Sequence, residues 1–128
     1  ALIRRTEAAM AAHPESALHA LAAEGGVEGR TAFQAAGDGD ETALAVCRSY
    51  VSYLAEGVTN LVNILSPEVV AIGGGVAAAP EALLLHPLRE TVARECYARH
   101  TGRQPRIVPA ELGNDAGIIG AALLGRAL

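Results

Sequence analysis

Lysine is absent from these 128 residues: all ten basic side chains are arginine. A P-loop lysine, a Schiff-base lysine and a kinase-type catalytic lysine therefore cannot come from this chain. Tryptophan is missing as well, and one Phe and three Tyr are the only aromatics. The 27 alanines suit closely packed helices instead. Only two cysteines occur, Cys47 and Cys96, and they match no C-x-x-C spacing. That pattern predicts free thiols rather than a disulfide frame or a metal knuckle. Long apolar runs are lacking too. The longest near the C-terminus, Ala116 to Gly125, has 10 residues, against the roughly 20 a membrane helix requires. The opening ALIRRTEAAM carries acid and base where a signal peptide needs an apolar stretch. These features predict a soluble, cytoplasmic protein with no membrane contact. Excess positive charge is also missing: the net charge is −4 and the arginines are dispersed, which argues against nucleic-acid binding.

What is present is a chain 51% hydrophobic, too apolar for a disordered tail and of a length suited to one domain at roughly 100–200 residues each. ALIRRTEAAMAA reads as a helix that His13-Pro14 ends. No Ser, Thr, Asp or Asn stands before it as a cap, which predicts that the natural start lies upstream. Ser16 is placed to cap a short helix running to about Glu24. Thr31-Ala32-Phe33-Gln34 has the form of a capping box opening a helix that stops at Gly37, and Asp38-Gly39-Asp40-Glu41 repeats the device with a carboxylate. Residues 41–65 form the clearest helix, with Leu44, Cys47, Val51, Leu54, Val58, Leu61 and Leu65 as one apolar stripe. Ser66-Pro67 ends it.

From residue 66 the pattern changes. Glu68 to Ile72 is a β-branched apolar run without alternation, which predicts a strand buried on both faces, and Gly73-Gly74-Gly75 follows. Pro80 and Glu81 fit the first turn of the next helix, with a break at Pro87 and a second piece presenting Leu88, Val92 and Cys96. Arg106-Ile107-Val108 is a second strand, and Asn114 or Asp115 caps a last helix from Ala116. The chain thus predicts a helix-rich α/β fold: a helical part over 1–65, then strand, turn, helix, strand and helix over 66–128, with two parallel strands. Two strands make a marginal sheet, so another polypeptide segment is expected to complete it.

Two segments are candidates for chemistry. Three glycines after a strand permit positive φ and leave no side chain between backbone and ligand, and a helix starting there would aim its N–H groups at a phosphate or ribose. The alternative is a tight turn with no ligand. Gly73-x-Gly75-x-x-Ala78 formally fits the dinucleotide fingerprint, but the acidic residue after the next strand is Glu111, 36 positions beyond Gly75, rather than about 20. The last helix repeats small residues at Gly113, Gly117 and Ala121 and at Ala116 and Gly120. That bare face suits close packing against another element or ordinary packing on a sheet. His13, His19, His86 and His100 have no ligand-like spacing, so no metal site is predicted. No catalytic set of side chains stands out.

LAEGVTNLVNILSPEVVAIGGGV (54–76) together with ELGNDAGIIGAALL (111–124) resembles the ROK family, the bacterial repressors, open reading frames and sugar kinases in which glucokinases are the commonest members. The likeness extends over the whole chain but corresponds to the C-terminal part of a family member, and Ser66 replaces the usual Asn before Pro67-Glu68. The resemblance implies the C-terminal half-lobe of an actin-like, ribonuclease-H-like ATPase fold. It implies that Gly73, Gly74, Gly75 and Val76 contact the nucleotide, and that Gly113, Ala116, Gly117, Gly120 and Ala121 form the hinge between lobes. ATP, Mg²⁺, a hexose, the remainder of the ROK polypeptide and a homodimer partner follow as expectations. The family's phosphate loops, catalytic Asp and zinc-binding cysteines all precede the region matched, so the segment is expected to be inactive alone. A sugar-responsive repressor and a helical interaction module without a ligand are the competing readings.

Overall fold

The computed structural model describes residues 1–23, 25–112 and 115–124. Six α-helices and two strands follow in the order α1 (Leu2–Ala12), α2 (Leu18–Ala23), α3 (Thr31–Gly37), α4 (Glu41–Leu65), β1 (Val69–Ile72), α5 (Leu85–Glu95), β2 (Arg106–Pro109) and α6 (Ala116–Leu124). Short 3₁₀ turns occupy Gly75–Ala78 and Tyr97–His100.

The spine is α4, whose limits match its end signals. The Asp40 carboxylate accepts from Ala43 N–H at 2.7 Å, and Ser66 ends the helix in the left-handed region at φ 47°. Asp40 also accepts from the Ser16 hydroxyl at 2.9 Å and from Ala17 N–H at 2.8 Å. One carboxylate thus joins the start of α4 to the segment leading into α2. These N–H donors, Ala43 first, hold its pKa below the ordinary carboxylate value. α4 packs against α1, α3 and α5. Phe33, 1% exposed, meets Tyr50 edge-to-face at 6.2 Å between ring centroids, and Leu18, Leu84, Leu88, Val92 and Cys96 complete the buried cluster.

The stripe predicted on α4 is correct in its first part only. Cys47, Val51 and Val58 are buried, together with Ala43, Val46, Ala55 and Val62. Leu61 and Leu65 are 52% and 67% exposed, and in the last turns Val58, Thr59 and Val62 carry the buried face instead. Two local predictions also shift. Thr31 lies inside α3, and its hydroxyl accepts from Glu28 N–H at 2.9 Å instead of capping the helix. Pro80 starts an irregular turn rather than the helix: Leu83 and Leu84 both donate to its carbonyl. The helix begins at Leu85, which places Pro87 in its first turn, where a missing N–H costs nothing.

The two strands pair in parallel, Val70 opposite Ile107 and Ile72 opposite Pro109. The expectation of burial on both faces is not met. Ile72 and Ile107 are buried toward the helices, whereas Val69, Ala71 and Arg106 are exposed on the other face. The helices cover one side of the sheet, and among the described residues nothing buries the other. No helix among the described residues is long and apolar enough to cross a membrane.

Candidate nucleotide site

The glycine turn follows β1 directly. Gly73 is confined by Ala110, whose Cβ would lie 3.5 Å from a Cβ added at Gly73. Gly74 adopts φ 79° and ψ −177°, a conformation costly for any residue with a side chain. Its carbonyl accepts from Ala77 N–H at 3.0 Å. All three glycines are exposed and Val76 is half-buried, so the backbone there is open to a ligand. The expected helix dipole is missing, however. A single 3₁₀ turn, Gly75–Ala78, succeeds the glycines, and α5 starts only at Leu85. The partial positive charge of a long helix therefore does not bear on this turn. Bare backbone and positive φ are what the site offers.

The second segment reaches the same end of the sheet. Because β1 and β2 run parallel, Gly73–Gly75 and Ala110–Leu112 both leave from carboxyl ends of adjacent strands, the end at which open α/β sheets bind ligands. Ala110 N–H donates to the Ile72 carbonyl at 2.8 Å, tying the two exits together. A cleft of about 570 Å³ opens beside them, lined by Ala71, Arg106, Val108, Glu111, Leu112 and Ala116 among others. Gly117, Gly120 and Ala121 lie on α6, and none of its nine residues is buried. A Cβ added at Gly117 or Gly120 would meet nothing within 4 Å, so the bare face is unoccupied here. Gly113, expected in the hinge, and Asn114, a candidate cap, lie outside the described residues.

Sequence reasoning missed Arg89. Its Nε donates to the Ile107 carbonyl at 2.8 Å, and its guanidinium pairs with Glu81 in the turn after the glycines. No spacing rule marks an arginine that links a turn to a strand 18 residues away. The thiol of Cys47 is buried, which pushes its pKa up to about 11, so it stays protonated and unreactive at neutral pH. Among the described residues no three His, Cys, Asp or Glu come together as a metal site.

A model of the ROK family matches residues 5–127. The chain belongs to the ROK family. The glucokinase of Thermotoga maritima is 41% identical over 90 residues, covering 70% of this chain and 28% of that enzyme. The glucokinase of Streptomyces coelicolor is 30% identical over 130 residues, covering 98% and 41% respectively. Among solved structures, a ROK family glucokinase from Streptomyces griseus in complex with glucose and AMPPNP superposes on the whole of this chain. Its TM-score is 0.83 and its identity 31%, over 42% of its own length. This ROK chain thus has the actin-like ATPase fold of its sugar-kinase neighbours, and spans less than half the length of these relatives.

Proposed function

We propose that this ROK chain is the C-terminal, nucleotide-side segment of an ATP-dependent sugar kinase of the glucokinase type. The observation that carries the reading is the exposed, bare backbone of the glycine turn at the carboxyl end of two parallel strands, tied at Ala110 to the exit of the second. That a relative superposing over the whole chain was solved with AMPPNP and glucose supports the same ligands here. In this reading the adenosine end of ATP lies against Gly73, Gly74, Gly75 and Val76. Gly74 at φ 79° turns the chain so that no Cβ intervenes. Gly113, Ala116, Gly117, Gly120 and Ala121 supply a face on which the other lobe closes.

ATP supplies the phosphoryl group, and the transfer depends mainly on positioning and charge stabilisation. This chain's part is positioning only. The base for the hexose hydroxyl and the ligands of Mg²⁺ and zinc would come from polypeptide outside these 128 residues, which form one incomplete domain. The complete protein is proposed to be a cytoplasmic homodimer.

The test is a coupled assay with ATP and glucose on this chain alone and on the complete polypeptide encoded by its reading frame. The reading predicts no turnover above background for the chain and turnover for the complete polypeptide. Turnover by the chain alone refutes its dependence on other segments. An inactive complete polypeptide carrying a helix-turn-helix would instead identify a sugar-responsive repressor.

A further inference from the structure

The backbone between the glycines and α5 is lightly held. Of residues 73–84 only Leu84 is buried; Val76, Ala77, Ala79 and Leu83 are half-buried and the others exposed. The backbone hydrogen bonds here are local. Ala77 N–H donates to Gly74, Ala79 N–H to Val76, Leu83 and Leu84 N–H to Pro80, and His86 N–H to Glu81. Among the described residues no backbone hydrogen bond joins residues 74–84 to either strand. Short turns of this kind fix local shape, but they leave open where the segment lies relative to the sheet, and exposed turn bonds with few buried contacts open easily.

Arg89 of α5 is what spans that distance. Its Nε donates to the Ile107 carbonyl at 2.8 Å. That carbonyl is free of the strand ladder: Arg106 N–H donates to Glu68 and Ala110 N–H to Ile72, so even-numbered residues make the bonds between β1 and β2 and Ile107 faces outward. The Nη1 of the same guanidinium donates to the Glu81 carboxylate. Among the described residues this is the one side-chain hydrogen bond that reaches residues 73–84. A guanidinium is planar, with its donors in a fixed fork. With Nε seated on β2, Nη1 meets Glu81 only over a narrow range of positions, so one carbonyl of the strand sets where the turn sits.

We infer that Arg89 is a positioning residue for the nucleotide: anchored on the Ile107 carbonyl, it holds Glu81 and, through Glu81, the turn that begins at Gly73–Gly75. The inference rests on the proposed reading of that turn as the place of the adenosine end of ATP, and Arg89 acts without touching the ligand. The side chains of Arg89 and Glu81 are 39% and 65% exposed, and an ion pair so placed adds little to overall stability. Its loss therefore displaces the turn more than it unfolds the chain. A ligand that binds only when the turn is in place loses affinity in proportion to the fraction of molecules that hold it there.

The test is calorimetry with ADP on the complete polypeptide encoded by this reading frame, as native protein, Arg89→Met, Glu81→Ala and the double variant. Each single variant is expected to bind ADP about fivefold more weakly. The double variant should bind no more weakly than either, because both substitutions remove one link. In a coupled assay the KM for ATP should rise by about the same factor, and that for glucose by less than about twofold. Without nucleotide, amide exchange should quicken at Ala77 and Ala79 and stay unchanged at Val51 and Val58 of α4. Heat with the native protein and equal affinity in a folded Arg89→Met variant, or losses that multiply in the double variant, overturns the inference and leaves the nucleotide reading standing. Equal rises in both KM values, or faster exchange throughout α4, marks Arg89 as merely structural and overturns it too. Should Arg89→Met fail to fold, Glu81→Ala decides alone, and native affinity there is the contrary result. No heat with the native protein removes the nucleotide reading and the inference together.

Discussion

The helical half of the chain and the strand-bearing half are equally apolar in sequence, yet they differ in what they bury. In residues 1–65 the large side chains close on one another: Leu18 and Phe33 are fully enclosed, and Asp40 clamps two segments at once. In residues 66–128 only the side facing α4 and α5 is finished. Val69 and Ala71 on β1 and every residue of α6 remain at the surface, with Ile118 72% exposed. Isolated monomers rarely leave contiguous apolar area of that kind uncovered. The difference teaches that one core is shared by both halves, whereas β1 and α6 leave apolar surface outside it among the described residues.

Substitutions can break that comparison. The largest effect is expected for Phe33→Ala, which empties a site enclosed by the helical half and should cost about 4 kcal/mol in urea unfolding of this chain. Asp40→Ala removes a cap and a cross-link together and should cost about 2 kcal/mol. Because the folded pKa of Asp40 is lowered, its contribution is complete above the unfolded value and is lost as pH falls through the folded one. The native chain should therefore lose more stability than the alanine variant between neutral pH and about pH 3. Thr59 has a buried hydroxyl without a partner among the described residues, so Thr59→Val should stabilise the chain by about 1 kcal/mol. Ile118→Ala on α6 should change stability by less than about 0.5 kcal/mol. A loss at Ile118 as large as that at Phe33 would show α6 packed in solution and remove the contrast.

Much of this was legible where signals were local and independent. The end of α4 could be read because Ser66-Pro67 stops it; its start was readable only approximately, because the capping-box spacing of Asp38 and Glu41 does not show that Asp40 is the cap. Both strands and their parallel pairing followed from β-branched runs flanking a helix. Errors arose where one local pattern serves two purposes. Pro80 and Pro87 each suit a first helical turn, and only packing decides that Pro87 holds it. Leu61 and Leu65 continue the stripe of Val51 and Val58 by spacing, but among the described residues nothing covers them. The apolar content of β1 predicted two covered faces, although the helices here cover only one. The glycine turn was readable as bare backbone. That a 3₁₀ turn rather than a long helix follows it was not, because alanines and a proline suit either.

The central claim is that the exposed backbone at Gly73–Gly75 receives the adenosine end of ATP. Calorimetric titration of ADP into the complete polypeptide, native and Gly74→Val, tests it most directly. The account predicts measurable heat with the native protein and at least about tenfold weaker affinity in the variant, whose branched side chain would stand where the nucleotide approaches and strain the backbone at φ 79°. No heat with the native protein, or equal affinity in a folded Gly74→Val variant, would contradict it.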